Sequence, residues 1–132
     1  MADFELSIKK FGEKAIKKTD AIIRKTAFDL TNAIIMDTPV DTGRARGNWI
    51  VSIDRQDDRK IDTEDKSGAS TIAKAQNEIF NNPIQKEIWI QNNLEYIARL
   101  EYGWSDKSPQ GMVGVNVQRF NHILEKVARD EK

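Results

Sequence analysis

Apolar residues recur at three- and four-residue spacings through the N-terminal part of the chain: Ile8, Phe11, Ala15, Ile22 and Ile23, then Phe28, Leu30, Ala33 and Ile34, with Lys and Asp between them. That period predicts an amphipathic helix from about Ser7 to Asp37. Ser7 can cap it, and Pro39 stops it, because proline lacks a backbone donor and biases Thr38 away from the helical region. Phe4, Leu6 and Ile8 also alternate, so a short strand at this end stays open as an alternative. Trp49, Val51 and Ile53 alternate with Ile50, Ser52 and Asp54, which is strand periodicity. A second helix is predicted from about Ser70 to Phe80, ended by Asn81-Asn82-Pro83, and a second strand over Glu87 to Gln91. Leu94 to Tyr102 reads as a short helix with Asn93 as its cap and Gly103 as the left-handed closing residue. A final helix from about Met112 to Asp130 aligns Val113, Val117, Phe120, Leu124 and Val127 on one stripe. This order gives an α+β fold: long N-terminal and C-terminal helices packed on a small, mostly antiparallel sheet.

Between the first strand and the second helix the pattern lapses. Residues 54–68 are polar and charged, with Ile61 their only large apolar side chain, and read as an exposed hairpin tip or mobile loop projecting from the body. The 132 residues fit a single domain spanning 1–132. With no cysteine, disulfides and thiolate-bound metal are excluded, and folding inside a cell is the natural expectation. Lys and Arg together number 21, as do Asp and Glu, so the chain lacks the dominant basic field needed to grip phosphate backbones. The charge is uneven nonetheless. Lys9, Lys10, Lys14, Lys17, Lys18, Arg24 and Lys25 make the N-terminal stretch basic, and Asp54, Asp57, Asp58, Asp62, Glu64 and Asp65 crowd the loop. No secretory signal opens the chain, and no stretch approaches the roughly 18 apolar residues of a membrane span, so a soluble protein with no membrane partner is expected.

The usual catalytic arrangements do not assemble from these residues. The only histidine, His122, sits mid-helix between Asn121 and Ile123, with no nucleophile elbow to serve, and reads as a partly exposed helix residue. The acidic loop lacks the alternating ligands and glycine of a calcium loop. Gly43 and Gly47 precede a strand where a phosphate cradle would follow one. Glu95 and Glu101 form a carboxylate pair of a kind that occurs in almost any helix. Neither a catalytic set, a metal site nor a cofactor is expected.

Two segments are unusual for surface loops. One is Thr38-Pro39-Val40-Asp41-Thr42-Gly43-Arg44-Ala45-Arg46-Gly47-Asn48-Trp49. The other is Tyr96-Ile97-Ala98-Arg99-Leu100-Glu101-Tyr102-Gly103-Trp104-Ser105, followed by Ser108-Pro109-Gln110-Gly111-Met112-Val113. In this order and spacing they resemble the signatures of a large family of tailed-bacteriophage neck, head–tail joining and tail-completion proteins. That family shows a Thr-Pro-Val-Asp-Thr-Gly-Arg turn after a long helix, later a Tyr-Ala…Glu-Tyr-Gly segment, and a Pro-Gly-Met-Val-like turn opening the last helix. Ala45 stands where many members carry a larger residue, and Ser108 where alanine is common.

The resemblance implies a non-enzymatic structural subunit of the virion, made in the bacterial cytoplasm, at the neck or head-proximal end of the tail. Its partners would be identical copies in a hexameric or related ring, connector or head-closure and tail proteins, and at most passing contact with packaged DNA. The residues are compatible with that role. Gly43 permits angles closed to other residues, and Asp41 and Thr42 carry short oxygens suited to capping a turn. Arg44 and Arg46 offer planar donors for a neighbour's carboxylates. Trp49, Tyr96, Tyr102 and Trp104 supply aromatic mass of the kind found at interface centres, although strand residues such as Trp49 and Trp89 more often face a core. Pro39, Glu101, Gly103, Pro109, Gly111 and Met112 complete the set of interface or turn residues that the resemblance marks. A nucleic-acid-binding accessory protein using the basic N-terminal helix is the alternative, weakened by the interspersed Glu13, Asp20 and Asp29.

Overall fold

The computed structural model describes residues 4–9, 17–95, 97, 113 and 116. In chain order the elements are β1 (Phe4–Lys9), α1 (Lys17–Asp37), α2 (Arg44–Gly47), β2 (Trp49–Ile53), α3 (Ala69–Asn81) and β3 (Glu87–Asn92). The three strands form one sheet in the order β1-β3-β2, antiparallel at both junctions, so the fold is α+β.

The N-terminus departs from the helix predicted to begin at Ser7. Ser7 lies in β1 opposite Trp89, Ile8 lies opposite Ile88, and the helix is described from Lys17. Strand alternation wins at this end because β3 supplies a partner edge about eighty residues away, which local periodicity does not register. The expected basic helix is divided accordingly: Lys9 belongs to β1 and Lys17 to α1. Phe11 and Ala15 lie outside the described residues, as does most of the predicted short helix and C-terminal helix. Of the residues predicted in those two helices, Ile97, Val113 and Asn116 are helical and buried, whereas Leu94 lies in no regular element and Glu95 in a turn, so the short helix does not begin at Leu94.

One face of the sheet carries the core. Register places Trp49, Val51 and Ile53 of β2 beside Asn92, Ile90 and Ile88 of β3, so alternate residues of both strands share a face. Against it α1 sets Ile23, Ala27, Leu30 and Ile34, one turn apart, and α3 sets Ala75 and Ile79. The apolar side chains gather in two clusters, one around Leu30, Ile34, Trp49 and Ile90, the other around Ile23, Ile79, Ile84 and Ile88. Phe28 and Phe80 extend the second outward through an edge-to-face contact, ring centroids 5.8 Å apart. Trp89, on the opposite face, is half-buried, so of the two strand tryptophans only Trp49 is a core residue.

Neither long helix carries a basic residue in its last turn, where the exposed carbonyls and the helix dipole favour one. Each is supplied from elsewhere. Arg24, on α1, donates Nη1 to the carbonyl of Ile79 and to that of Asn82 at 2.7 Å, both at the end of α3, and Nε to Asp20 at 2.7 Å. The same side chain therefore ties α1 to α3 and neutralises the negative end of α3.

Arg24→Ala is expected to lower stability by about 2 kcal/mol, since it deletes charge-assisted bonds at a helix end. Lys25→Ala, whose side chain is 75% exposed in its pair with Asp29, should change stability by less than about 0.5 kcal/mol. Urea unfolding of both variants checks this; equal effects would refute the capping role.

Candidate functional site

The Thr38–Trp49 segment turns the chain from α1 into β2, and its polar groups are spent inward. Thr38 is 1% exposed; its hydroxyl donates to the Ile34 carbonyl at 2.7 Å and accepts the Trp49 indole N–H at 2.8 Å. Pro39 is half-buried behind it. The Thr42 hydroxyl accepts the Arg44 N–H at 3.2 Å, closing the turn as a short oxygen should. Asp41, Thr42 and Arg44 are exposed.

Gly43 is the fulcrum. Its φ is +92°, and its carbonyl accepts the N–H groups of Gly47 at 2.9 Å and Asp65 at 3.0 Å. A Cβ here would stand 2.5 Å from the Lys66 nitrogen and 2.7 Å from the Asp65 carbonyl carbon, both backbone atoms. Glycine is thus required twice, by the left-handed angle and by the approach of a second chain segment. Gly47 faces the same segment, its absent Cβ lying 2.7 Å from the Thr63 methyl.

Arg46, expected to reach a neighbour's carboxylate, instead binds carbonyls of its own chain. Nη2 donates to Met36 at 2.9 Å and Thr38 at 3.1 Å, and Nη1 to Lys66 at 2.5 Å. It caps the end of α1 as Arg24 caps that of α3, and fastens residue 66 to that end.

Residues 54–68 do not project as a free loop. Their side chains are largely exposed, but the backbone is stapled to the body by buried amide side chains. Asn48 acts in both directions on Ile61: Nδ2 donates to its carbonyl at 2.9 Å and Oδ1 accepts its N–H at 2.7 Å. Gln91 Oε1 accepts the Asp57 N–H at 2.6 Å. Asn93 Nδ2 donates to the carbonyls of Asp57 at 2.9 Å and Arg59 at 2.7 Å. Asn93 therefore holds this segment and does not cap the helix expected after it; Asn92 Oδ1 accepts the Leu94 N–H, at 3.2 Å, while Asn92 Nδ2 donates to Ala45 at 2.9 Å. A signal for this existed. A strand ending Gln-Asn-Asn places amides where its apolar alternation would continue, and buried amides must find partners.

Two aspartates set the ends of the segment. Asp54, at φ +64°, accepts the N–H groups of Gln85, Lys86 and Glu87 at 2.9, 2.6 and 3.0 Å. Asp65 accepts the Thr71 N–H at 2.9 Å and hydroxyl at 2.7 Å and the Gly68 N–H at 3.1 Å, capping α3. Burial pushes both carboxyls up, yet these hydrogen bonds outweigh it and hold both below the usual range. Asp57 is lowered first by its hydrogen bonds to the Arg59 guanidinium.

Of the remaining residues marked by the resemblance, Tyr96, Glu101, Tyr102, Gly103, Trp104, Pro109, Gly111 and Met112 lie outside the described residues. Among the described residues no three His, Cys, Asp or Glu side chains converge as metal ligands, and no helix is long and apolar enough to cross a membrane. The site locks a turn so that Asp41, Thr42 and Arg44 face outward from a fixed backbone.

Gly43→Ala is expected to cost at least about 2 kcal/mol, from the left-handed angle plus collision with backbone. Gly47→Ala, whose closest contact would be the Thr63 side-chain methyl, should cost about 1 kcal/mol; thermal unfolding compares them, and equal costs would contradict the geometry. Because the folded pKa values of Asp54, Asp57 and Asp65 lie below their unfolded values, their contribution is full above about pH 4 to 5 and is lost as pH falls through the folded values. Asp65→Asn should flatten stability between about pH 5 and 3 relative to wild type; an unchanged slope in acid titrations of urea stability would refute it.

No significant match was found among curated proteins or among solved structures. Residues 2–103 match the sequence model of a family described as "Bacteriophage HK97-gp10, putative tail-component". The match takes in the helix, the glycine turn, all three strands and the second segment as far as Gly103, which agrees with the resemblance drawn from the two motifs. The chain belongs to the HK97-gp10-like family of bacteriophage tail components.

Proposed function

We propose that this tail component is a neck or tail-completion subunit that closes the head–tail junction as one member of a ring, hexameric or related, and acts by assembly without catalysis. The observation that carries the reading is the family match across residues 2–103. The turn supports it mechanically. A subunit repeated around an axis must present the same patch in the same orientation every time, and a patch on a rigid backbone loses little entropy when it docks. The outward Asp41, Thr42 and Arg44 sit on such a backbone, held by Gly43, Arg46 and Thr38. Arg44 keeps its planar donors for a carboxylate of the adjoining copy, while connector, head-closure and tail proteins meet the ring above and below. Contact with packaged DNA is at most passing. Arg24, one of the cations of the basic stretch, is committed to Asp20 and the end of α3, and Lys25 pairs with Asp29 at 3.4 Å.

Arg44→Glu is expected to leave stability within about 0.5 kcal/mol of wild type, as an exposed substitution should. It should nevertheless reduce complete, infectious particles severely. Arg46→Gln should do the reverse at the level of the subunit, losing about 2 kcal/mol of stability through the α1 cap. A density map of purified virions locates the chain directly: copies around the axis between head and tail are expected, and a position elsewhere in the particle overturns the proposal.

A further inference from the structure

We propose that residues 55–64 are a displaceable strap, which opens from the outer face of the sheet as one unit while the helices and sheet remain folded. This does not depend on where the protein sits in the particle.

The strap runs between two fixed posts. At one end the Asp54 carboxylate is held by three consecutive backbone N–H groups, and its own N–H donates to the Glu87 carbonyl at 2.8 Å. At the other, Asp65 is bonded through its side chain to the start of α3 and through its N–H to Gly43. Between the posts every described anchor to the body is polar. The Ser52 hydroxyl donates to the Arg55 carbonyl at 2.6 Å, Gln91 and Asn93 bind Asp57 and Arg59, and Asn48 binds Ile61. No strap residue belongs to either apolar cluster, and Ile61 is only half-buried. Opening it therefore leaves both apolar clusters intact.

A counterweight lies beneath. Gln91 is fully buried and Asn93 is 3% exposed, and each has one amide atom without a hydrogen-bond partner: Nε2 of Gln91 and Oδ1 of Asn93. The other atom of each amide holds the strap. Closing the strap strips water from these two atoms and gives nothing back, whereas opening returns them to solvent. The same two side chains thus fasten the strap and oppose its closure. On that face Gln91 stands opposite Ile50, so the amides that opening returns to solvent lie beside an apolar strand residue.

Hydrogen exchange of the full chain, followed amide by amide across low urea concentrations, tests this. The Asp57 and Ile61 amides, which donate to Gln91 and Asn48, are expected to exchange at one common rate with shallow urea dependence, at least tenfold faster than the Asp54 amide and the β2–β3 ladder. Asn48→Ala should accelerate both Asp57 and Ile61 at least tenfold and leave α1 amides unchanged. The proposal fails if Asp57 and Ile61 share the rate and urea dependence of the ladder, which would make them part of the global unit. It fails equally if Asn48→Ala accelerates Ile61 alone, which would make the anchors independent. Should Asn48→Ala not fold, the wild-type urea series decides by itself.

Discussion

The backbone of Gly43 approaches the Asp65–Lys66 peptide so closely that no side chain fits between them, and much of the domain is arranged around that contact. It fixes where the acidic segment returns to the body. That return places Asp65 over the first turn of α3, where its carboxylate satisfies N–H groups that the helix cannot satisfy itself. It also places the Lys66 carbonyl within reach of Arg46, whose remaining donors close the end of α1. One missing Cβ therefore connects the end of one helix, the start of another and the segment linking the strand to the second helix.

Among the described residues, four charged side chains act on the backbone at helix ends and turns. Arg24 and Arg46 each leave their own element to bind carbonyls at the end of a helix that has no basic residue in its last turn. Asp65 does the converse at the start of α3, and Asp54 binds a row of backbone N–H groups in the turn before β3. A formal net charge of zero is what this use of charge permits. These four charges act on backbone dipoles at those sites. Such contacts are individually worth about 1–3 kcal/mol, enough to set a loop's position but well short of what the apolar core supplies.

The elements with a long, unbroken period were legible in the sequence: α3, β2 and β3 nearly to the residue, and α1 apart from its start. β1 was legible only as an alternative, because three alternating apolar residues also fit a helix and their partner strand is distant. The glycine turn was recognised as special, and for sound reasons, since Gly43 does need its left-handed angle. What the turn holds was not legible. Arg46 and Asn48 bind backbone carbonyls and N–H groups, and backbone acceptors leave no mark in a sequence, so an arginine reaching its own chain looks the same as one reaching a neighbour. For the same reason residues 54–68 showed their exposure, through composition, and concealed their anchoring.

For a tail component this division matters. The segment that the family resemblance marks is chiefly a device for rigidity, and the surface it offers is what remains outward once the backbone has been locked. A double-mutant cycle joining Gly43→Ala and Asp65→Asn measures that linkage most directly, because the first displaces the Asp65 backbone and the second removes its cap on α3. The account predicts that the double variant loses less stability than the sum of the singles, by about 1 kcal/mol or more. Additivity within about 0.5 kcal/mol would show that the turn and the cap are independent, and would contradict it.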